Sequence, residues 1–333
     1  MTDAAFTVSF AGPLVTYQDA GRRGHMRYGV FASGPMDRLA FDAAHAALGN
    51  LPGQTAIEIS LGGLSLTCTS GAISFAITGG DFGVEHRGQK YRSWTVLTAE
   101  KGDRITIRGG KAGSWAYLTF AGSVACTGWL GSAATHAVSG FGGGALQAGQ
   151  TIRIANTSVR GDRAGEVPRP GFLTDGPMRV VTGPQDQHFS HEALERFLSD
   201  RFAVTDAYNR MGMRLRGPEL PLAGALSIPS EPIVRGAVQV SGDGVPTVLL
   251  ADHQTTGGYP KIATVIAPDI DRLVQSRSGD MVRFAAVSAA DAVHAARGYL
   301  GHKAAYLEQI AVPRGSLDQR LMRENLIHGC VLD

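Results

Sequence analysis

The segment Asp252–Lys261 reads DHQTTGGYPK. Acid, imidazole, amide, hydroxyl, aromatic and amine groups crowd into one turn around Gly257-Gly258 and Pro260. Just before it runs PTVLL (Pro246–Leu250), and just after it IATVI (Ile262–Ile266). Both runs are short, apolar and rich in β-branched residues, which reads as buried strand. The polar segment is then a loop held between two core strands. Gly257-Gly258 permits a positive φ or a close approach of backbone to a ligand. Pro260 fixes the turn and removes a donor. Loops mounted on rigid strands commonly carry binding groups. A tight hairpin with solvated polar residues is the plainer reading of the same stretch.

Working outward, the pattern recurs. Candidate strands in the first half are Thr7–Phe10, Ile57–Ser60, Leu64–Cys68, Ile73–Thr78, Trp94–Leu97, Asp103–Ile107 and Trp115–Phe120. In the second half they are Met178–Val181, Arg214–Leu215, Ile233–Val240 and Met281–Val287. The 44 glycines among 333 residues favour many turns and a β-rich fold over a helical one. Helical spacing appears at Pro35–Leu48, where Met36, Leu39, Ala40, Ala43, Ala47 and Leu48 share a face. Ser33 or Gly34 can cap its start, and Gly49-Asn50 ends it. Ser190 caps a second helix, whose Leu194, Phe197 and Leu198 share one face. Asp269–Val274 is a short helix, and a helical pattern starts at Ser288, with Asp291 in capping-box spacing. The expected class is mainly β with a few helices, in two β-rich halves that read as distantly similar barrels. Residues 156–176 hold Arg, Asp, Pro and Gly and little that makes a core. The chain therefore divides into 1–157, a linker 158–176, a second unit 177–287 and a helical tail 288–333.

Composition narrows the function. Lys and Arg number 31 against 29 Asp and Glu, a net charge of +2, with no basic run, so nucleic acid is not an expected partner. Cys68, Cys126 and Cys330 are far apart and odd in number, which fits neither a metal pair nor a disulfide framework. No secretory signal opens the sequence and no apolar run approaches the ~18 residues that span a bilayer. A soluble cytoplasmic protein with no membrane partner is expected. GxxxxGK[ST], a dinucleotide fingerprint, a Met-Lys-Met biotin segment and HExxH are all missing from the sequence. The chain alone is thus expected to hold no cofactor and no metal, and nucleotide or carrier chemistry would need a further polypeptide.

Several side chains are placed to do chemistry. Asp81, in TGGDFG after an apolar strand, is either a carboxylate at a cleft or a turn cap beside glycine. Glu58, inside AIEIS, faces opposite to Ile57 and Ile59, onto a solvated sheet face or the wall of a barrel or cleft. Arg22 can bind a carboxylate or staple its loop to Asp19, and Arg210 poses the same choice. Gln239 is costly to bury without partners, or is an exposed strand residue. Lys261, between Pro260 and Ile262, can neutralise a carboxylate, carbamate or phosphate, or can snorkel to solvent. In its loop, Asp252 is a candidate base, while Gln254, Thr255, Thr256 and Tyr259 offer groups that orient an amide or carboxyl.

These segments together resemble a known family. QDAGRRG (Gln18–Gly24), SGPMD (Ser33–Asp37), LGN (Leu48–Asn50), EISLGG (Glu58–Gly63) and TGGDFG match in the first half. GPQDQHF (Gly183–Phe189), NRMGMRL (Asn209–Leu215), SEPIVRGAVQV (Ser230–Val240) and DHQTTGGYPKIATV follow in the same order. From about Gly12 to Val287 the chain resembles the C subunit of the bacterial ATP-dependent 5-oxoprolinase, a family also described as KipA-like, allophanate hydrolase second-subunit-like and biotin-dependent carboxyltransferase. The resemblance implies two β-barrel-like halves, at least one cyclophilin-like. It also implies a tight complex with a 5-oxoprolinase B-subunit-like protein and cooperation with an A-subunit-like protein. It implies opening of 5-oxo-L-proline to L-glutamate, with ATP used by the complex. On this reading Asp81, Asp252 and Lys261 are the candidate catalytic residues, and Glu58, Arg210, Gln239, Gln254, Thr255, Thr256 and Tyr259 the candidate substrate contacts. Two other readings stay open: carboxyl transfer from biotin to a urea-like amide, and a regulatory binder of a KipI-like kinase inhibitor. The sequence departs from the family in one loop, where GSRSTD-like residues are replaced by GSAATH (Gly131–His136), and at Asn209, where many members have Asp.

Overall fold

The computed structural model describes residues 3–173, 175–223, 227–313 and 315. Cys330 and the NLIHGCVLD ending lie outside the described residues, as does most of the expected tail beyond the helix that opens it. The described chain is mainly β, with α1 (Arg38–Leu48), α2 (His191–Ser199), α3 (Ala267–Leu273) and α4 (Ala289–Ala311).

The N-terminal half builds two antiparallel sheets. One runs Ser123–Ala125, Thr151–Ala155, Ala4–Ala11, Leu64–Ser70, Arg104–Arg108, Gly83–His86, Gln89–Arg92. The other runs Gly165–Glu166, Thr95–Glu100, Ala72–Thr78, Trp115–Phe120, Ala56–Ser60, Thr16–Gln18. Their inward residues share one core, among them Phe6, Leu66, Phe75, Ile77 and Phe120, onto which α1 and the Tyr306–Ile310 end of α4 pack. Continuous apolar strands such as AISFAIT are buried on both faces because a sheet covers one and a helix or loop the other.

The C-terminal half is one sheet ordered Met281–Val282, Phe202–Tyr208, Gly212–Arg216, Pro246–Leu249, Ala237–Val240, Lys261–Val265, Met178–Thr182, Phe284–Ala286. Its two end strands are neighbours in the chain, separated only by Arg283, so the sheet nearly closes into a barrel. Its core is Val180, Phe197, Phe202, Met213, Val238, Val248, Ile262 and Phe284. Met36 and Trp115 of the N-terminal half are buried in that same core, so the halves are packed together through apolar contact.

The structure corrects several local expectations. The first helix starts at Arg38 and not at Pro35: Asp37 is its cap, accepting from Ala40 N at 2.8 Å. Ser33 and Gly34, the expected caps, instead form a left-handed turn with φ of 53° and 86°. The expected strand Ile233–Val240 is extended only over Ala237–Val240, because Gly236 at φ 93° breaks it. The upstream Glu231–Pro232 pairs instead with Thr256–Gly257 of the polar loop, which is therefore more than a plain hairpin. The segment expected to be a coreless linker also contributes: Gly165–Glu166 extends a sheet, and Val167 is fully buried. One apolar valine among polar neighbours was enough to anchor it. The caps read at Ser190 and Ser288 are present, accepting from Ala193 N and Asp291 N.

Candidate functional site

The polar loop brings together two clusters of very different character. The first lies between the halves. Arg210, at the turn before Gly212–Arg216, is fully buried. Its Nε donates to Asp252 Oδ2 at 3.0 Å and its Nη2 to Asp252 Oδ1 at 2.9 Å. The same Nη2 donates to Gly34 O at 2.8 Å, and Nη1 reaches Glu58 Oε1. Glu58 Oε2 accepts from Met36 N and from the Tyr117 hydroxyl, both at 2.8 Å. Asp252 Oδ2 also accepts from Ala137 N at 2.9 Å, just past the GSAATH loop.

This is a buried ion triad whose charges are matched by hydrogen bonds on nearly every side. Burial raises the Asp252 carboxyl, but Arg210, joined by the Ala137 amide and His136, outweighs burial and holds it below the ordinary carboxylate value. Burial likewise opposes charge on Arg210, and Asp252 and Glu58 overcome it and keep its value above the ordinary one. Glu58 thus faces the wall between the halves and not a solvated face, and both Asp252 oxygens are occupied by protein groups. The geometry gives these three residues the task of tying the N-terminal turn at Gly34–Met36, the Ala137 loop and the C-terminal barrel to one another. Arg22 is similar in kind: it donates to the carbonyls of Trp129, Phe31 and Ala134, while Asp19 accepts from Ser132 Oγ and Ala133 N. It staples the loop that precedes His136. The His136 ring stacks on Phe31 with centroids 3.8 Å apart.

The second cluster lies on the outer face of the barrel sheet. A cleft of about 400 Å³ is lined by Asn209, Met211, Arg214, Gln239, Gln254 and Tyr259, among others. Strand register sets its floor: Arg214 opposes Thr247, Thr247 opposes Gln239, and Gln239 opposes Lys261. Opposed residues in a sheet lie on one face, while the alternate residues Met213, Val248 and Val238 enter the core. Gln254 Nε2 donates to Gln239 Oε1 at 3.1 Å, and Gln239 Nε2 to Tyr259 O at 3.4 Å. Gly257 is a close-approach glycine and does not have a positive φ: a Cβ there would stand 2.7 Å from Gln239 Nε2. Lys261 is buried, and its Nζ has no hydrogen-bond partner among the described residues. Glu231 Oε2 is 3.7 Å away.

The remaining sequence candidates fall elsewhere. Asp81 pairs with Arg92 at 3.0 Å and Arg169 at 3.3 Å, both half-exposed, and shares no hydrogen bond or ion pair with either cluster among the described residues. Thr255 and Thr256 belong to the short edge pairing with Ile233 and Pro232 and do not line the cleft. Two contributors escaped sequence reasoning. Gln185, buried in GPQDQHF, accepts Lys261 N at 3.0 Å and donates to Glu231 Oε2. Glu231 itself sits in SEPIVRG. Both motifs were legible, but only long-range pairing shows that they meet Lys261. Among the described residues no three His, Cys, Asp or Glu side chains converge as a metal-ligand set, and no helix is long and apolar enough to cross a membrane.

Comparison with known proteins fits this architecture. Residues 28–286 match the family described as carboxyltransferase domain, subdomain A and B. The chain is 33% identical to the C subunit of 5-oxoprolinase from Haemophilus influenzae, over 89% of this chain and 94% of that one. It is 31% identical to the C subunit of 5-oxoprolinase from Escherichia coli, over 90% and 96%. It is 29% identical to urea amidolyase of Lachancea kluyveri over 85% of its own length, but spans only 17% of that protein. Among solved structures, TTHA0988 superposes with a TM-score of 0.76 at 30% identity, covering 84% of this chain and 55% of that one. The urea carboxylase of Kluyveromyces lactis superposes at 0.80 with 24% identity, a likeness of fold, covering 96% of this chain and 30% of that one. With more than half its length matched, and a nearly closed barrel joined to two facing sheets, the chain belongs to the carboxyltransferase subdomain A and B family.

Proposed function

We propose that this chain is the C subunit of an ATP-dependent 5-oxoprolinase, opening 5-oxo-L-proline to L-glutamate together with A-subunit-like and B-subunit-like partners. The observation that carries the reading is the near end-to-end match to the C subunits of two 5-oxoprolinases. The cleft is chemically suited to it. The Gln239–Gln254 amide pair offers donors and acceptors complementary to a lactam, whose ring holds one N–H and one C=O. Tyr259 supplies an aromatic wall, and Lys261 supplies a buried cation beside the pair. Net ring opening adds water across the lactam C–N bond: the carbonyl carbon gains a hydroxyl and the nitrogen gains a proton. Asp252, Arg210 and Glu58 act on this cleft by fixing the root of its loop. We assign ATP and proton handling to the complex, in which this chain is not active alone.

Carboxyl transfer from biotin to a urea-like amide is the second reading, favoured by the family description and by the urea amidolyase likeness. The test is ATP hydrolysis and glutamate release from 5-oxoproline by the candidate partner proteins, with and without this chain. Strict dependence on the chain is expected. No turnover, with all components folded and assembled, would overturn the oxoprolinase reading, and an avidin-sensitive carboxylation of urea would put the second in its place.

A further inference from the structure

We propose that Lys261, gated by Glu231 and positioned by Gln185, is a carboxylate subsite that selects acid-bearing lactams over neutral ones. The inference rests on the lactam reading above and names the part of the substrate that the amide pair does not address.

The starting observation is an imbalance. Lys261 is 3% exposed, yet its Nζ lacks any hydrogen-bond partner among the described residues. An ammonium carries three donors, and burying it without acceptors is costly. The buried guanidiniums of Arg22 and Arg210 are treated quite differently, each donating to several oxygens. The carboxylate of Glu231 is 3.7 Å from Nζ, close enough to neutralise charge and too far to accept a hydrogen bond.

The two partners also differ in freedom. Lys261 is held at its backbone: its N–H donates to Gln185 Oε1 at 3.0 Å and its carbonyl accepts from Gln185 N at 3.2 Å. Gln185 Nε2 donates to Glu231 Oε2, so one amide sets the spacing of the pair. The Glu231 side chain is 51% exposed, on a two-residue strand at the edge of the polar loop. It can turn into water at little cost, whereas the amine cannot. A ligand carboxylate that takes its place gains the donors Glu231 leaves unused.

Position supplies the class of ligand. Lys261 does not itself line the cleft, but it opposes the lining residue Gln239 where the register shifts by one residue, roughly 5 Å away at the root. Gln239 lines the cleft and is bonded to Gln254. The site therefore presents an amide-reading pair next to a cation. A five-membered lactam with a carboxylate on the carbon beside its ring nitrogen carries the complementary groups at that spacing.

The experiment uses the full chain assembled with its partner proteins. Dissociation constants are measured for 5-oxoproline and for 2-pyrrolidinone, the same ring without the carboxylate, alongside KM and kcat for 5-oxoproline. Wild type should prefer 5-oxoproline. Lys261→Met should weaken 5-oxoproline about tenfold or more and leave 2-pyrrolidinone nearly unchanged, the scale of a charged hydrogen bond. Glu231→Gln removes the competing carboxylate at an exposed position and should tighten 5-oxoproline a few-fold, a gain that a merely structural residue would not give. Turnover by wild type with an unchanged 5-oxoproline to 2-pyrrolidinone ratio in Lys261→Met, or weaker 5-oxoproline binding in Glu231→Gln, overturns the subsite and leaves the oxoprolinase reading standing. Neither binding nor turnover of either lactam by the wild-type complex overturns both.

Discussion

The buried triad and the cleft cluster are built from the same kinds of residue, a cation with carboxylates and amides around it, yet they are finished differently. Arg210 donates to Asp252, Glu58 and Gly34 O, at 2.8 to 3.0 Å for Asp252 and Gly34. Lys261 has Glu231 at 3.7 Å and, among the described residues, no hydrogen bond to its Nζ. A polar cluster that satisfies itself has nothing left to offer a ligand, and its energy goes into holding the fold. A cluster left short of acceptors holds back its interaction for something else. On this view, satisfaction and not residue type separates the fastener from the binding site.

The largest expected effect tests the fastener. Arg210→Met should leave Glu58 and Asp252 buried without their cation, a loss of about 3–5 kcal/mol. Thermal unfolding should show a sharply lower Tm, or no folded protein. Replacing all three residues by apolar ones of similar volume should recover much of that loss. A Tm unchanged by Arg210→Met, together with lost substrate binding, would break the comparison and return Arg210 to the substrate.

A pH titration sharpens it next, because two buried carboxylates are placed oppositely. Asp252 faces a guanidinium and is held low, so its contribution to stability is present above the unfolded value and is lost as pH falls through the folded one. Asp37, the cap of α1, faces the amide of Gln275 at 2.7 Å, with Asp271 nearby. Burial, then Asp271, pushes it up to about 7. A raised carboxyl keeps its proton in the folded state after the unfolded chain has lost it. Stability should therefore fall as pH rises from about 4 to 7, by on the order of a few kcal/mol. Asp37→Asn keeps an acceptor for Ala40 N and should flatten that slope in urea unfolding across the range. An identical slope in the variant would show that another group titrates.

How much of this was legible in the sequence follows from the range of the interactions. Strands such as Ile73–Thr78 and Trp115–Phe120 were readable because apolar, β-branched runs bounded by glycine are local signals. The polar loop was readable as a loop between core strands for the same reason. Glu58 in AIEIS was not assignable, since its partner Arg210 is 152 residues away and no local pattern joins them. The cap of α1 was misplaced by one turn because Ser33, Gly34 and Asp37 all carry capping chemistry, and only the backbone decides which is used. Gln185 and Glu231 were present in quoted motifs, but the contact that gives them meaning depends on how a barrel brings distant strands together.

A smaller effect is expected at Gly257. A Cβ there would stand 2.5 Å from Ile233 Cδ1 and 2.7 Å from Gln239 Nε2. Both are side-chain ends that can shift, so Gly257→Ala should cost about 1–2 kcal/mol at most as overpacking. Because one of them belongs to the amide pair, KM for 5-oxoproline should rise several-fold while Tm falls only slightly. A large Tm drop with unchanged KM would place Gly257 with the fastener and not with the cleft.

The smallest effect belongs to Asp81, the candidate catalytic residue that neither cluster contains. Its two partners, Arg92 and Arg169, have side chains 63% and 51% exposed, so solvent screens both pairs. Exposed pairs contribute about 0–1 kcal/mol, and Asp81→Asn should shift stability within that range. Turnover by the assembled enzyme should change less than about threefold, far below the ~10²–10³ that follows removal of a group stabilising charge in the transition state. The measurement is decisive because Asp81 follows an apolar strand in a glycine-rich turn, the setting that made it attractive in sequence. If Asp81→Asn falls by the larger factor with its Tm intact, then a carboxylate already paired with two arginines is part of the chemistry, and satisfaction by exposed partners does not retire a residue from catalysis as satisfaction by buried ones does.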